Sequence, residues 1–248
     1  MGLRPLDLAV WLERDESSEA QRRAKEVLLA DHFEDVVAFE DDARSACEEL
    51  LLEVERACGR RAEYLEEHPL VTASRLVADD LCVMEQRNGE WVLTAAVVCA
   101  PSRWVLAEKL GQSVSAIHEP VPGYATDLDQ LVTKFFDRLS VEKPVWRLNW
   151  TLVDSPELFL WPRTSRPPRP RSWFFRVERQ TLRRLARSDA IVFTIRTYVT
   201  SLDDLLVAHR EYGANLLLAL ETAPEATLDY KGWRGVADEL RERLNEVS

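Results

Sequence analysis

An α+β fold built on one five-stranded antiparallel sheet is predicted by three observations on this sequence of 248 residues. Helical periodicity is confined to the two ends and a middle stretch. Extended segments are grouped within 79–99 and 145–199. The first two of them flank Asn88-Gly89, a dipeptide that supplies the two positive φ angles of a tight hairpin turn. Strands grouped together, rather than alternating with helices, give an α+β layout.

Each element follows from its residues. Residues 17–30 and 40–58 are predicted to be helical. In the second, Ala43, Cys47, Leu50, Leu51 and Val54 recur at helical spacing among glutamates, and Gly59 supplies a stop. The hairpin arms are Asp79 to Gln86 and Trp91 to Cys99. The second arm is almost continuously apolar and is therefore placed centrally in the sheet. Leu128, Leu131, Val132, Phe135, Phe136 and Leu139 mark one face of a further helix. Three strands follow. In Val145 to Val153, alternation sets Trp146, Leu148, Trp150 and Leu152 against Arg147, Asn149 and Thr151. Trp173 to Arg179 is aromatic-rich. In Ala190 to Val199, Ile191, Phe193, Ile195 and Val199 oppose Val192, Thr194, Arg196 and Tyr198. Between the first two of these strands lies 161–170, with four prolines and no periodicity, a surface excursion. Leu202, Leu205, Leu206 and His209 begin a C-terminal helix, and Trp233, Val236, Leu240 and Leu244 mark the last. The organisation is one domain over 1–248, with an N-terminal helical extension (1–75), a core (76–200) and C-terminal helices (201–248).

Composition narrows the function. Hydrophobic residues make up 46% and charged residues 30%, ordinary for a globular protein. No apolar run approaches the roughly 18 residues of a membrane span, and Met1 to Leu12 has no signal-peptide pattern. Cys47, Cys58, Cys82 and Cys99 lack CxxC spacing and read as reduced, partly buried thiols, so the expected compartment is the cytoplasm. The net charge of −11 argues against general nucleic-acid binding. Charge is unevenly placed: Arg163 to Arg187 holds nine arginines and a single acid, Glu178. That stretch is either a solvated face or a docking surface for an acidic partner.

The densest chemistry lies in Pro101-Ser102-Arg103-Trp104, Lys109-Leu110-Gly111 and Ile117-His118-Glu119-Pro120-Val121-Pro122. Prolines restrict their own φ and that of the preceding residue, so His118 has a constrained exit. Two readings are open: a hydrogen-bonded structural histidine, or an axial ligand presented at a fixed angle. No second His or Cys stands at ligand spacing, which disfavours zinc. Haem needs only one histidine, since the porphyrin brings four donors of its own. Lys109-Leu110-Gly111 also reads as a helix C-terminus. His32, His68 and His209 are read as surface residues. Arg147, Asn149, Glu178 and Arg196 are polar positions in apolar strands, lining either an exposed face or a polarised pocket. No Walker loop, GxGxxG, HExxH or Ser/His/Asp order occurs.

Six motifs in order then carry a resemblance: Pro101-Ser-Arg-Trp, Lys109-Leu-Gly, Ile117-His-Glu-Pro-Val-Pro, Arg147-Leu-Asn-Trp150, Arg176-Val-Glu-Arg-Gln-Thr-Leu182 and Phe193-Thr-Ile-Arg-Thr-Tyr198. Together they resemble the α subunit of haem-dependent oxidative N-demethylase, the dimethylamine monooxygenase large-subunit family. The resemblance runs over nearly the whole chain and is densest from Asp79 to Leu202. It implies a PAS-like sheet holding haem b, with the helices between the second and third strands bearing the ligand. It implies oxidative N-demethylation of a small secondary amine with O2, with electrons from a separate NADPH-dependent reductase subunit carrying FMN and a 2Fe-2S cluster. Carried over by residue, His118 would be the iron ligand, and Arg103, Trp104 and Lys109 would contact the cofactor. Arg147, Glu178 and Arg196 would form the catalytic pocket, where a carboxylate can hold an alkylammonium. The same scaffold also serves haem-based gas or redox sensors and non-catalytic haem-binding modules, which stand as the alternative.

Overall fold

The computed structural model describes residues 2–63, 66–124, 129–162 and 172–246, with side chains to 242. Mixed helix and sheet are present as expected, but the sheet has seven strands, all paired antiparallel. They are β1 (Arg4–Pro5), β2 (Val37–Phe39), β3 (Asp80–Arg87), β4 (Glu90–Val97), β5 (Val145–Val153), β6 (Phe174–Arg184) and β7 (Ile191–Ser201). Their order is β1-β5-β6-β7-β3-β4-β2. The five strands predicted from sequence form the continuous centre, and two short edge strands extend it. A two-residue strand containing proline carries no alternation, and Pro5 is tolerated because its partnerless side faces the edge.

The hairpin β3–β4 turns at Asn88 and Gly89, with φ 53° and 86°, the left-handed pair this dipeptide accommodates. β6 continues five residues past the predicted end at Arg179, pairing with β7 over its whole length from Phe174↔Ser201 to Arg184↔Ile191. Among its last five residues, Gln180 to Arg184, only Leu182 is apolar, so no alternation marks the extension.

Helices cover both faces. On one face lie α1 (Ser18–Asp31), α2 (Phe33–Val36), α3 (Arg44–Cys58) and α4 (Pro69–Arg75). Their apolar stripes meet β3, β4 and β7 in a cluster that includes Leu50, Val54, Leu70, Leu81, Val83, Val97 and Val192, all 0% exposed. Each such side chain contributes about 1.5–3 kcal/mol of burial. Gly59 ends α3 at φ 63°, as predicted. On the other face lie α5 (Val114–His118) and α6 (Asp129–Arg138), both in the connection between β4 and β5. Cys82, Met84, Leu93, Val114, Phe136 and Ile191 form the cluster there. The C-terminal helices α7 (Leu202–Ala208), α8 (Arg210–Thr222), α9 (Glu225–Lys231) and α10 (Val236–Glu246) pack around Trp173 and Trp233 at the end of the sheet. Trp233 stacks on Trp150 with centroids 5.1 Å apart.

All four cysteines are free and buried. Among the described residues no helix is long and apolar enough to cross a membrane. Of the nine arginines between 163 and 187, Arg163, Arg166, Arg169 and Arg171 lie outside the described residues. The other five serve the fold. Arg184, for example, donates to the carbonyls of Leu139 (2.6 Å) and Phe136 (2.7 Å) at the end of α6, and Arg183 meets Glu53 at 2.9 Å.

Candidate functional site

The strand register decides which polar side chains share a face. Arg147 pairs with Gln180 and Asn149 with Glu178 across β5 and β6. These four therefore project to the side that carries α5 and α6. They form a ladder: Arg147 Nε donates to Gln180 Oε1 at 2.7 Å, Gln180 Nε2 to Glu178 Oε2 at 2.9 Å, and Asn149 Nδ2 to the same oxygen at 3.2 Å. Arg176, fully buried on this face, approaches Glu178 with Nε at 3.6 Å. Its terminal nitrogens hold the carbonyls of Leu158 and Ala100. Burial lowers the pKa of both Arg147 and Arg176 from the ordinary arginine value, and the Glu178 carboxylate opposes the shift in each.

His118 closes α5, a helix capped by Ser113, whose hydroxyl accepts from Ala116 N–H at 3.3 Å. The imidazole is half-buried, and its Nδ1 lies 2.8 Å from the Val114 carbonyl. An imidazole nitrogen facing a carbonyl must carry the proton, which leaves the lone pair on Nε2. Burial pushes the His118 pKa down, the Val114 bond opposes this, and the charges of Arg147 and Lys109 add to the lowering. The neutral form is the one that ligates a metal. Tyr124 lies parallel to the ring, with centroids 4.9 Å apart and planes at 14°.

The segments leading to this site are pinned from the sheet. Asp80, buried at 1% exposure, accepts from the amides of Cys99 (2.8 Å) and Ala100 (2.9 Å). Lys109 and Gly111 belong to hydrogen-bonded turns rather than a helix end. Lys109 N–H donates to Leu106 O at 2.8 Å, and Gly111, at φ 74°, donates to Leu93 O at 2.8 Å. Trp104 is half-buried against the cluster containing Leu106, Val114 and Ile117.

The structure does not gather every predicted residue. Arg196 pairs in register with Arg179, on the face opposite Arg147 and Glu178. It is 0% exposed, and its guanidinium is bound by Gln21, Asp15, Ser17 and Ser18 of the N-terminal segment. Arg196 is thus an anchor for that segment, and its place in the pocket is corrected. Arg103, at φ 65°, turns to Asp154 and to the Trp161 carbonyl. His68 is not a plain surface residue: it stacks on Phe39 at 3.9 Å, and its Nδ1 accepts from Leu70 N–H at the start of α4. His209 sits at the break between α7 and α8. Tyr124 and Gln180 are the site residues that sequence reasoning missed. Gln180 had a signal, since it shares parity with Glu178 on β6.

Among the described residues no three His, Cys, Asp or Glu side chains converge into a metal-ligand cluster. His118 therefore suits a metal that arrives with other donors of its own, as in a porphyrin. The oriented imidazole and the cations around it fit such a group. The model of the family described as haem-dependent oxidative N-demethylase, alpha subunit-like, matches residues 55–241, which include every element of this site, and the chain belongs to that family.

Proposed function

We propose that this chain is a haem b-binding, PAS-like monooxygenase subunit that removes a methyl group oxidatively from a small secondary amine such as dimethylamine. The observation that carries the reading is His118: a neutral imidazole with Nδ1 bound to the Val114 carbonyl, so that Nε2 can ligate iron. Five long antiparallel strands, with α5 and α6 between the second and third of them, support the PAS-like part.

When bound, haem supplies the iron at which O2 is activated, with electrons delivered by a separate NADPH-dependent reductase subunit bearing FMN and a 2Fe-2S cluster. The residues of this chain bind and orient. His118 holds the iron, with Trp104 and Lys109 at the flank of the same site. Glu178, kept in place by Asn149 and Gln180, receives the alkylammonium through a charge-assisted hydrogen bond. Arg147 is steered by Gln180, which accepts from its Nε.

The test is the optical spectrum of the purified protein. Haem-loaded wild type is expected to show a Soret band that shifts on adding dimethylamine, and His118→Ala to lose or relocate the band. A band unchanged in His118→Ala removes the ligand assignment. A wild-type band that no amine moves returns the chain to the haem-binding modules or sensors.

A further inference from the structure

Tyr124 stacks on His118, a contact that neither the strand pattern nor the motifs single out. Two turns bring it there. Val121 N–H donates to the His118 carbonyl at 2.8 Å, and Tyr124 N–H to the Val121 carbonyl at 3.0 Å. Gly123, at φ 75°, completes the reversal, so the proline-bounded exit of α5 folds the phenol back onto the imidazole. Tyr124 is 5% exposed, and its hydroxyl is buried without a hydrogen-bond partner. Buried polar groups are satisfied in the great majority of cases, so an orphan at a ligand site points to a partner outside the chain.

Arg147 shares these surroundings: it projects from β5 onto the sheet face that carries α5, and its charge acts on both Tyr124 and His118. Its Nε is committed to Gln180, and among the described residues its terminal nitrogens take no partner. Arg103, nearer to Trp104 in sequence, is committed to Asp154. We infer that the Tyr124 hydroxyl and the terminal nitrogens of Arg147 form a carboxylate-binding site beside His118, whose occupant is a propionate of the haem. A guanidinium edge and a phenol O–H are complementary to a carboxylate, which accepts several donors at once. A phenol stacked on the imidazole would lie on the same side of a bound haem as His118.

The inference rests on His118 as haem ligand, and the experiment separates the two. Apo-protein is titrated with haemin and with haemin dimethyl ester, which lacks the carboxylates, and separately with succinate followed by tyrosine absorbance. Wild type is expected to prefer haemin by about tenfold or more. Tyr124→Phe, which keeps the stacked ring, and Arg147→Gln are each expected to reduce that preference while the Soret position stays that of a His118-ligated haem. Preference undiminished in both variants, with succinate silent, overturns the inference alone. Succinate binding that both variants abolish, without any preference between the two haemins, keeps the carboxylate site and overturns the propionate. A wild type that takes up neither haemin overturns both the ligand assignment and this inference.

Discussion

The two faces of the sheet treat the same residue types in opposite ways. Glu178 and Arg179 are neighbours on β6 and point to opposite sides. Arg179 is spent on the N-terminal segment, with Nε 3.0 Å from Glu13 and its terminal nitrogens on the carbonyls of Trp11 (2.9 Å) and Val10 (2.8 Å). Arg196, beside it, is likewise consumed by Asp15 and its neighbours. On the other face Arg147 commits only Nε, and Tyr124 keeps a bare buried hydroxyl. Charge inside a strand is therefore not in itself a mark of chemistry. What separates Arg179 and Arg196 from Arg147 is whether the chain itself binds the terminal guanidinium nitrogens.

That contrast can be broken by substitution. The largest expected effect is Arg196→Met, which removes a buried guanidinium from its acceptors and should cost about 3 kcal/mol in urea unfolding, with the Soret band of loaded protein unchanged. A shifted band would return Arg196 to the pocket. Next is Asp79→Asn. Asp79 is 1% exposed, neither carboxylate oxygen has a hydrogen-bond partner, and burial raises its pKa to about 6 against the opposing charges of Lys25, Arg196 and Arg179. A carboxyl raised in the folded state stabilises when protonated. Its contribution is present below the unfolded value near 4 and is lost as pH rises through about 6. Relative to wild type, Asp79→Asn should gain roughly 2–3 kcal/mol between pH 4 and pH 7, and a difference independent of pH would refute the assignment. The smallest effect in energy is Glu178→Gln, expected to weaken the amine-induced spectral shift by about tenfold, or ~1.4 kcal/mol, while the melting temperature holds. Loss of stability without loss of amine response would make Glu178 a structural residue like Arg179.

Much of this is legible in the sequence. Continuous apolar and alternating runs located the five long strands, and Asn88-Gly89 located their first turn. Parity within a strand was also legible, so Arg147 and Asn149 were grouped correctly. Parity between strands was not, because it depends on register, and a shift of one residue exchanges the faces. That is why Arg196 was grouped with Glu178, although Glu178 pairs with Thr197 and Arg196 with Arg179. The short edge strands escaped because two or three residues hold no period. Tyr124 escaped because a turn precedes it, and no periodicity signals which side chain a turn will deliver. The Pro-Val-Pro exit signalled a reversal, but not the ring that the reversal delivers.

Arg176 also bears on the order in which the molecule assembles. From the middle of β6 it reaches back 76 residues to the Ala100 carbonyl and 18 to that of Leu158. Contacts across such spans form only after the intervening loop has closed, and loop closure is slow compared with local hairpin formation. The β3–β4 hairpin can thus be in place while the segment after it, which leads to His118, still lacks its restraint from β6. If His118 holds the cofactor as proposed, its capture would follow the docking of β6 rather than guide it.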